Sequence, residues 1–333
     1  MSLRFSILTV FLLAVFSLTL FQGSAKISFL DVLKILFSDA GLAGANSAEW
    51  HIVWNFRLPR ALAATFAGAS LSLSGLLLQS VFRNPLAGPY VLGISSGASL
   101  GLALFLLAGF GLGSLGFLSA AGLGAGLVLV FIALFSKFIR GNAGLLVLGL
   151  MAGYFADAVV SILMHSTNSE ALRGFISWGF GSFGRLRWEE MPYFIACVLL
   201  GLAISVFCIK YLNAVSLGDE GAKSLGIDVR KKRFLSLFAA AVLAASATAF
   251  CGPIGFIGMA TPHLARGFFN SDNQRILIPA SLLTGALLAL VAGLLSQGLW
   301  GMPVLPLNAV ASLMGAPVVI WVLLPRRFST LHS

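Results

Sequence analysis

Nine or ten segments of this chain are apolar over roughly the length needed to cross a bilayer, and mostly short connections separate them. A hydrocarbon layer about 30 Å thick asks for about 20 helical residues, with every backbone donor satisfied inside its own helix. The segments run near 3–21, 57–81, 91–108, 114–135, 144–164, 191–209, 234–250, 256–269, 276–298 and 307–324. They predict an all-α, polytopic membrane helix bundle, one membrane-embedded domain over 1–333. Of 333 residues, 59% are hydrophobic and 10% charged, against about a quarter charged in soluble domains, so separate water-soluble domains are excluded.

The net charge of +10 does not indicate nucleic acid, because the basic residues gather at span ends, where the positive-inside rule puts them. The same rule decides an ambiguity. The pair 234–250 and 256–269 is interrupted by Gly252 and Pro253 and reads either as one kinked span or as a short hairpin. With ten spans and an inner N-terminus, 14 Lys and Arg lie inside and 7 outside; with nine, the split becomes 10 to 11. The inner set is Arg4, Arg83, Lys137, Arg140, Lys210, Lys223, Arg230, Lys231, Lys232, Arg233, Arg266, Arg275, Arg326 and Arg327. Ten spans with both termini cytoplasmic are therefore expected, with 23–56 and 165–190 extracytoplasmic and 210–233 cytoplasmic.

Arg4, the apolar run 5–21 and the small residues Gly23, Ser24 and Ala25 resemble a signal peptide. The run exceeds a signal core of about 7–15 residues, so a retained first span is expected. Ser28 and Asp31 then form a start like a capping box, with Leu30, Leu33 and Phe37 on one helical face, which predicts a helix lying on the outer surface. Trp50 and Trp54 suit the interface that follows.

Small residues recur every fourth position, at Ala64, Gly68 and Ser72, at Gly97 and Gly101, at Gly122 and Gly126, at Gly149 and Gly153, and at Gly285, Ala289 and Gly293. Lipid gives helices no hydrophobic reason to associate, so close approach over small residues is how they pack, and all these positions are expected to pack. Cys197, Cys208 and Cys251 form no metal or redox spacing. Two G-x-G-x-x-G matches, at 111–116 and 179–184, lack a preceding strand, and the chain holds no G-x-x-x-x-G-K-[ST]; any ATP is bound by another chain.

Asp157 is the clear ionisable residue within a span, two thirds along the fifth, either lining a polar path or hydrogen-bonded to a neighbouring helix. His263, one turn from Arg266, has no metal-ligand partners at useful spacing and is expected to make a structural hydrogen bond. The long outer loop 165–190 carries Arg173, Trp178, Arg185, Arg187, Glu189 and Glu190, and with Arg57 and Arg60 makes the outer face basic, which suits an acidic partner protein.

One polar island stands out. Residues 218–233 hold Asp219, Glu220, Lys223, Asp228, Arg230, Lys231, Lys232 and Arg233 between two long apolar runs. Such a run reads either as a solvated topology anchor or as a docking surface.

Residues 57–101 (RLPRALAATFAGASLSLSGLLLQSVFRNPLAGPYVLGISSGASLG), 216–227 (SLGDEGAKSLGI), 252–266 (GPIGFIGMATPHLAR) and 305–317 (LPLNAVASLMGAP) closely resemble the FecCD family of permeases of binding-protein-dependent ABC importers. The resemblance covers residues 28–324, with these blocks in order. Such permeases carry iron-siderophore, haem or cobalamin complexes across the prokaryotic cytoplasmic membrane. The resemblance implies a ten-helix subunit that pairs with a second permease, identical or homologous, two cytoplasmic ATPase subunits and an extracytoplasmic solute-binding protein. It implies no cofactor in this chain, with ATP and Mg bound by the ATPases, and no catalytic activity of its own.

By the same resemblance, Leu217, Gly218, Asp219, Glu220, Ala222, Lys223, Leu225 and Gly226 form an ATPase-coupling element of two short helices, while the charge of Arg230 to Arg233 reads as the positive anchor that keeps it in the cytoplasm. Arg57 and Arg60 dock the binding protein, while Gly149, Gly153 and Asp157 lie on or near the path. Asn84, Pro85, Pro262, His263 and Arg266 belong to the matching structural motifs. Gln297 stands where many relatives have Arg, and Gly88 where an acid is common. The alternatives are an ion-coupled secondary transporter of a small solute and a polytopic membrane enzyme. Scarce intramembrane charge argues against the first, and the lack of paired catalytic residues against the second.

Overall fold

The protein's computed structural model describes all residues except 24, 26, 38–46, 91, 108–113, 136–141, 166, 168, 299–302 and 324–333. Lys137, Arg140, Arg326 and Arg327, counted above as inner charges, fall outside the described residues, as does the start of the 111–116 glycine motif.

Among the described residues the regular structure is entirely helical. In chain order the helices are α1 (Ser2–Phe21), α2 (Phe29–Phe37), α3 (Ala48–Phe82, with a π-helical stretch Ile52–Arg57), α4 (Ile94–Leu107), α5 (Ser114–Phe135), α6 (Asn142–His165) and α7 (Ser169–Gly179). They continue as α8 (Met191–Phe207), α9 (Ile209–Ala214), α10 (Asp219–Ser224), α11 (Val229–Cys251), α12 (Ile257–Phe269), α13 (Gln274–Ser296) and α14 (Leu307–Leu323). Among the described residues, five of these (α1, α3, α6, α11 and α13) are long and apolar enough to cross a membrane, and a sixth such span is α8 together with Ile209–Leu217, bent by 55°.

The bundle is organised around α3, whose most apolar stretch is 83% buried inside the protein. It packs against α13, α11 and α12, and of the small residues spaced every fourth position Gly68 and Ser72 meet Gly285 and Ala289 of α13. A Cβ on Gly68 would overlap the Gly285 carbonyl, and one on Gly75 the Gly258 carbonyl, so backbones meet there in a way only glycine permits. Ser70 and Ser74 donate from α3 to the Leu243 and Ala240 carbonyls of α11, each at 2.8 Å. Such bonds between apolar helices contribute about 0.6–2 kcal/mol each.

Gly97 and Gly101 of α4 pack on Gly124 and Ala120 of α5. Gly122 and Gly126 do not pack as expected. A Cβ on either meets nothing within 4 Å, because the face of α5 turned inward carries Gly124 instead.

The disputed segment 234–269 is a pair of helices, α11 and α12, separated by Gly252 and Phe256, both at positive φ. Ala240 and Leu243 of α11 meet Ser74 and Ser70, so α11 runs antiparallel to α3. Gly258 and Met259 of α12 meet Gly75 and Gln79, and His263 reaches Pro85, so α12 runs back alongside α3. The hairpin reading is the one the chain adopts.

Contacts define two ends of the bundle. At one end Arg4 donates to the Phe268 carbonyl, Gln274 to Ser80 and Asn213 to Asn273, which gathers α1's start, the foot of α3 and α9, the helix that leads to the polar island. At the far end Trp188 stacks on Trp54 and donates to its carbonyl at 2.9 Å. Residues 165–190, read from sequence as a loop, contain the helix α7. Phe175 and Trp178 bury its apolar side against Leu102 and Val160, and Trp178 Nε1 donates to the Ala249 carbonyl at 3.1 Å.

Helix α2 begins as expected: Asp31 N donates to Ser28 Oγ, and the Ser28 hydroxyl donates to Asp31 Oδ2 at 2.6 Å. That bond holds the Asp31 carboxyl below its ordinary range. The packed residue of α2 is Val32, whereas Leu30 is exposed, so the inward face is turned from the one its spacing suggests.

Candidate functional site

The polar island is a folded element with its own stops. After α8 the chain bends at Cys208, runs through α9 and a short 3-10 turn at Val215–Leu217, and reverses at Gly218, whose φ of 94° is left-handed. Asp219 and Glu220 open α10, where acidic side chains oppose the helix dipole favourably, and Lys223 closes it. Gly226, at φ 73°, donates to the Lys223 carbonyl at 2.8 Å and ends the helix. Asp228 then caps α11 by accepting from Lys231 N at 3.0 Å.

The eight residues assigned to coupling divide by face. Ala222 is fully buried against the bundle. Leu217 and Leu225 are 72% and 62% exposed, and with Glu220 and Lys223, paired at 2.8 Å, they form the outward surface. That pairing holds the Lys223 ammonium above its ordinary range. Asp219 points back and meets Arg233 of α11 at 2.6 Å, with both side chains about one third exposed. Arg233, read with Arg230, Lys231 and Lys232 as a positive anchor, also has a second role: its guanidinium fastens α10 to a span.

Beside this element the foot of α3 ends in a tight turn. Arg83 adopts left-handed φ 49°, and Asn84 Oδ1 accepts from Leu86 N at 2.8 Å, which orders Asn84 and Pro85. Helix α12 holds that turn from the side. His263 Nε2 lies 2.7 Å from the Pro85 carbonyl, and Arg266 donates to Gln79 Oε1 at 2.6 Å while Gln79 donates to the Met259 carbonyl at 3.0 Å. His263 makes the structural bond its isolation suggested, and Pro262, within α12, is buried beside it. Gln79 was not singled out from the sequence, although an amide within an apolar span signals an internal hydrogen bond.

On α6 the three residues assigned to the path separate. Gly149 and Gly153 are buried, closed over by Leu92 and Gly93, so they are packing positions and do not themselves face open space. The exposed face of α6 carries Val147, Met151, Tyr154, Phe155 and Ile162. Asp157 stands at its edge, exposed, and accepts from Ser96 Oγ of α4 at 3.3 Å. Among the described residues no group of three or more His, Cys, Asp or Glu could hold a metal ion.

At the far end a cavity of about 800 Å³ is lined by Arg57, Arg60, Arg185 and Gln297, with no carboxylate among its lining residues. Arg57 is not the surface contact expected: it is 6% exposed and donates to the Leu20, Phe21 and Ala25 carbonyls, capping the end of α1. Arg60 is half-buried over Gly184 and has no ion-pair partner among the described residues. Arg185 is exposed and donates to Ser177 at 2.8 Å. Arg185, noted in the sequence only as part of a basic loop, is brought beside Arg60 by the turn at Gly181, φ 73°.

The chain is 35% identical over 310 residues to the hemin transport system permease protein of Yersinia pestis, covering 92% of each chain. It is 37% identical over 287 residues to the vitamin B12 import system permease protein of Vibrio cholerae, covering 84% of each. Among solved structures it resembles a metal-chelate type ABC transporter in an inward-facing conformation, with TM-score 0.84, 29% identity, and coverage of 97% of this chain and 100% of that one. Such permeases are cytoplasmic-membrane subunits that work with an ATPase and a binding protein, and hydrolyse nothing themselves. A bundle built on α3, with its braced turn, rigid polar element and basic far end, has the form of such a subunit, and over residues 10–325 the chain belongs to the FecCD transport family.

Proposed function

We propose that this chain pairs with a second permease subunit, identical or homologous, to import an iron chelate, haem or a corrinoid. Two ATPase subunits bind the polar-island end, which faces the cytoplasm, and a solute-binding protein docks at the far end. The relatives named for hemin and vitamin B12 support a bulky metal chelate as substrate.

The observation that carries the coupling role is the surface of α10. Glu220 and Lys223 project from this six-residue helix, and Leu217 and Leu225 from the residues flanking it, while Asp219 and Arg233 tie it to α11. Force applied to that surface by a moving ATPase passes into a span as a rigid-body displacement. Arg60 and Arg185 give the far end a positive recess suited to carboxylates of a binding protein, while Arg57 supports it from within. The exposed face of α6, with Asp157 at its edge, lines the path and meets the partner permease.

Uptake measured in vesicles tests this reading. Transport that requires ATP, an ATPase subunit and a binding protein is expected. Uptake driven by an ion gradient in the absence of all three would overturn it.

A further inference from the structure

We propose that the cavity between the polar island and the helix feet binds one anionic phospholipid. The cavity measures about 620 Å³, within the range of about 300–1,000 Å³ of small-molecule sites. Its two halves differ in chemistry. One wall is apolar and made by span ends, with Ile132 of α5, Leu145 of α6 and Phe234 of α11. The other is the rim formed by Lys223, Arg230 and Lys231.

Of the rim cations, Lys223 is paired with Glu220 at 2.8 Å, and Arg230 and Lys231 carry the uncompensated charge. The lining holds four cations and two carboxylates, a net of +2. Asp219 is engaged by Arg233, and Asp228 by the backbone of Lys231, which leaves the side chains of Arg230 and Lys231 without ion-pair partners among the described residues. A cationic rim above an apolar wall, where spans meet the membrane boundary, matches a phosphate joined to an acyl chain. A soluble phosphate would leave the apolar half unfilled, and a neutral lipid would leave the cations unmatched.

The lipid phosphate sits beside Arg230 and Lys231, and an acyl chain lies along Ile132, Leu145 and Phe234. Because Lys223 of α10 lines the same cavity as Arg230 and Lys231 of α11, the lipid lies between the polar element and the span that holds it. This inference rests on the membrane-embedded fold and not on the substrate or the ATPase partnership.

Native mass spectrometry of the full chain in detergent, with phosphatidylglycerol, phosphatidylcholine and free glycerol phosphate as probes, tests it. One retained phosphatidylglycerol is expected, preferred about tenfold or more over phosphatidylcholine, with no competition from glycerol phosphate. Arg230→Gln with Lys231→Gln is expected to erase that preference. Leu145→Trp, which fills the apolar half and leaves the cations, is expected to reduce retention as well. An unchanged thermal midpoint of both variants without lipid shows that they are folded. Equal retention of the two lipids, full displacement by glycerol phosphate, or an undiminished preference in the charge variant would overturn the proposal. So would a charge variant that keeps its lipid and loses only ATPase assembly, which would assign the rim to a protein contact. Lost lipid preference with ATP-driven uptake intact would leave the transport reading standing.

Discussion

Arg233 Nη2 lies 2.6 Å from Asp219 Oδ2, across a 14-residue separation that includes all of α10 and the turn after it. Without this contact the chief remaining anchor of α10 on the bundle is the buried Ala222, because the backbone bonds at Gly218 and Gly226 run to Val215 and Lys223 within the element itself. A charge-assisted bond of this kind contributes about 1.5–3 kcal/mol where water is partly excluded, and less as exposure rises.

Asp219→Ala is expected to leave ATP hydrolysis by the assembled complex measurable while the substrate moved per ATP falls several-fold. Exchange of the pair, Asp219→Arg with Arg233→Asp, recovers part of the loss. Uptake and phosphate release followed together in proteoliposomes check this, and wild-type stoichiometry in Asp219→Ala would reduce the contact to an ornament of the loop.

Glycine substitutions separate packed from unpacked positions. Gly75→Ala drives a methyl into the Gly258 carbonyl and is expected to cost about 1–3 kcal/mol, seen as a lower unfolding midpoint in detergent. Gly122→Ala meets nothing within 4 Å and gains helix propensity of about 1 kcal/mol at most, so its midpoint stays or rises.

The arginines of the far end are expected to fail differently. Arg60→Glu with Arg185→Glu weakens binding-protein capture, most strongly at low salt, with stability unchanged. Arg57→Ala strips three carbonyls of their donor and lowers the unfolding midpoint, a loss on the order of 2 kcal/mol. A binding titration across salt concentrations, run beside thermal unfolding, distinguishes the two roles; identical behaviour of the variants would contradict this division.

His263→Ala frees the Pro85 carbonyl and loosens the turn at the foot of α3, at about 1 kcal/mol. Faster proteolysis near residues 83–90 than in the wild type is the expected signature, with partial recovery in His263→Gln.

Asp157→Leu is expected to alter uptake and not assembly, because the carboxylate bonds one neighbour, Ser96, at the edge of an exposed face. A stability loss as large as that of Gly75→Ala, with uptake per folded complex unchanged, would make Asp157 a packing residue.

The sequence alone determined the all-helical membrane bundle, because runs of apolar residues near bilayer length admit few other structures. It also located the polar island, where the family resemblance implies two short helices and the glycines at 218 and 226 bound the one that opens on Asp219 and Glu220. What it could not supply was the rotation of each helix. A soluble helix reveals its inner face by the contrast of apolar and polar residues, but in a span both the lipid face and the packed face are apolar. Hence Gly122 and Gly126 carried the same four-residue spacing as Gly97 and Gly101, yet they point away from the bundle. Hence also Gly149 and Gly153 are closed by Leu92 and Gly93 while Asp157, on the same helix, stays open. Only tertiary structure decided that Arg57 turns inward to the end of α1 and that Arg233 leaves its basic neighbours for Asp219, because each choice depends on a partner distant in sequence that local pattern does not encode.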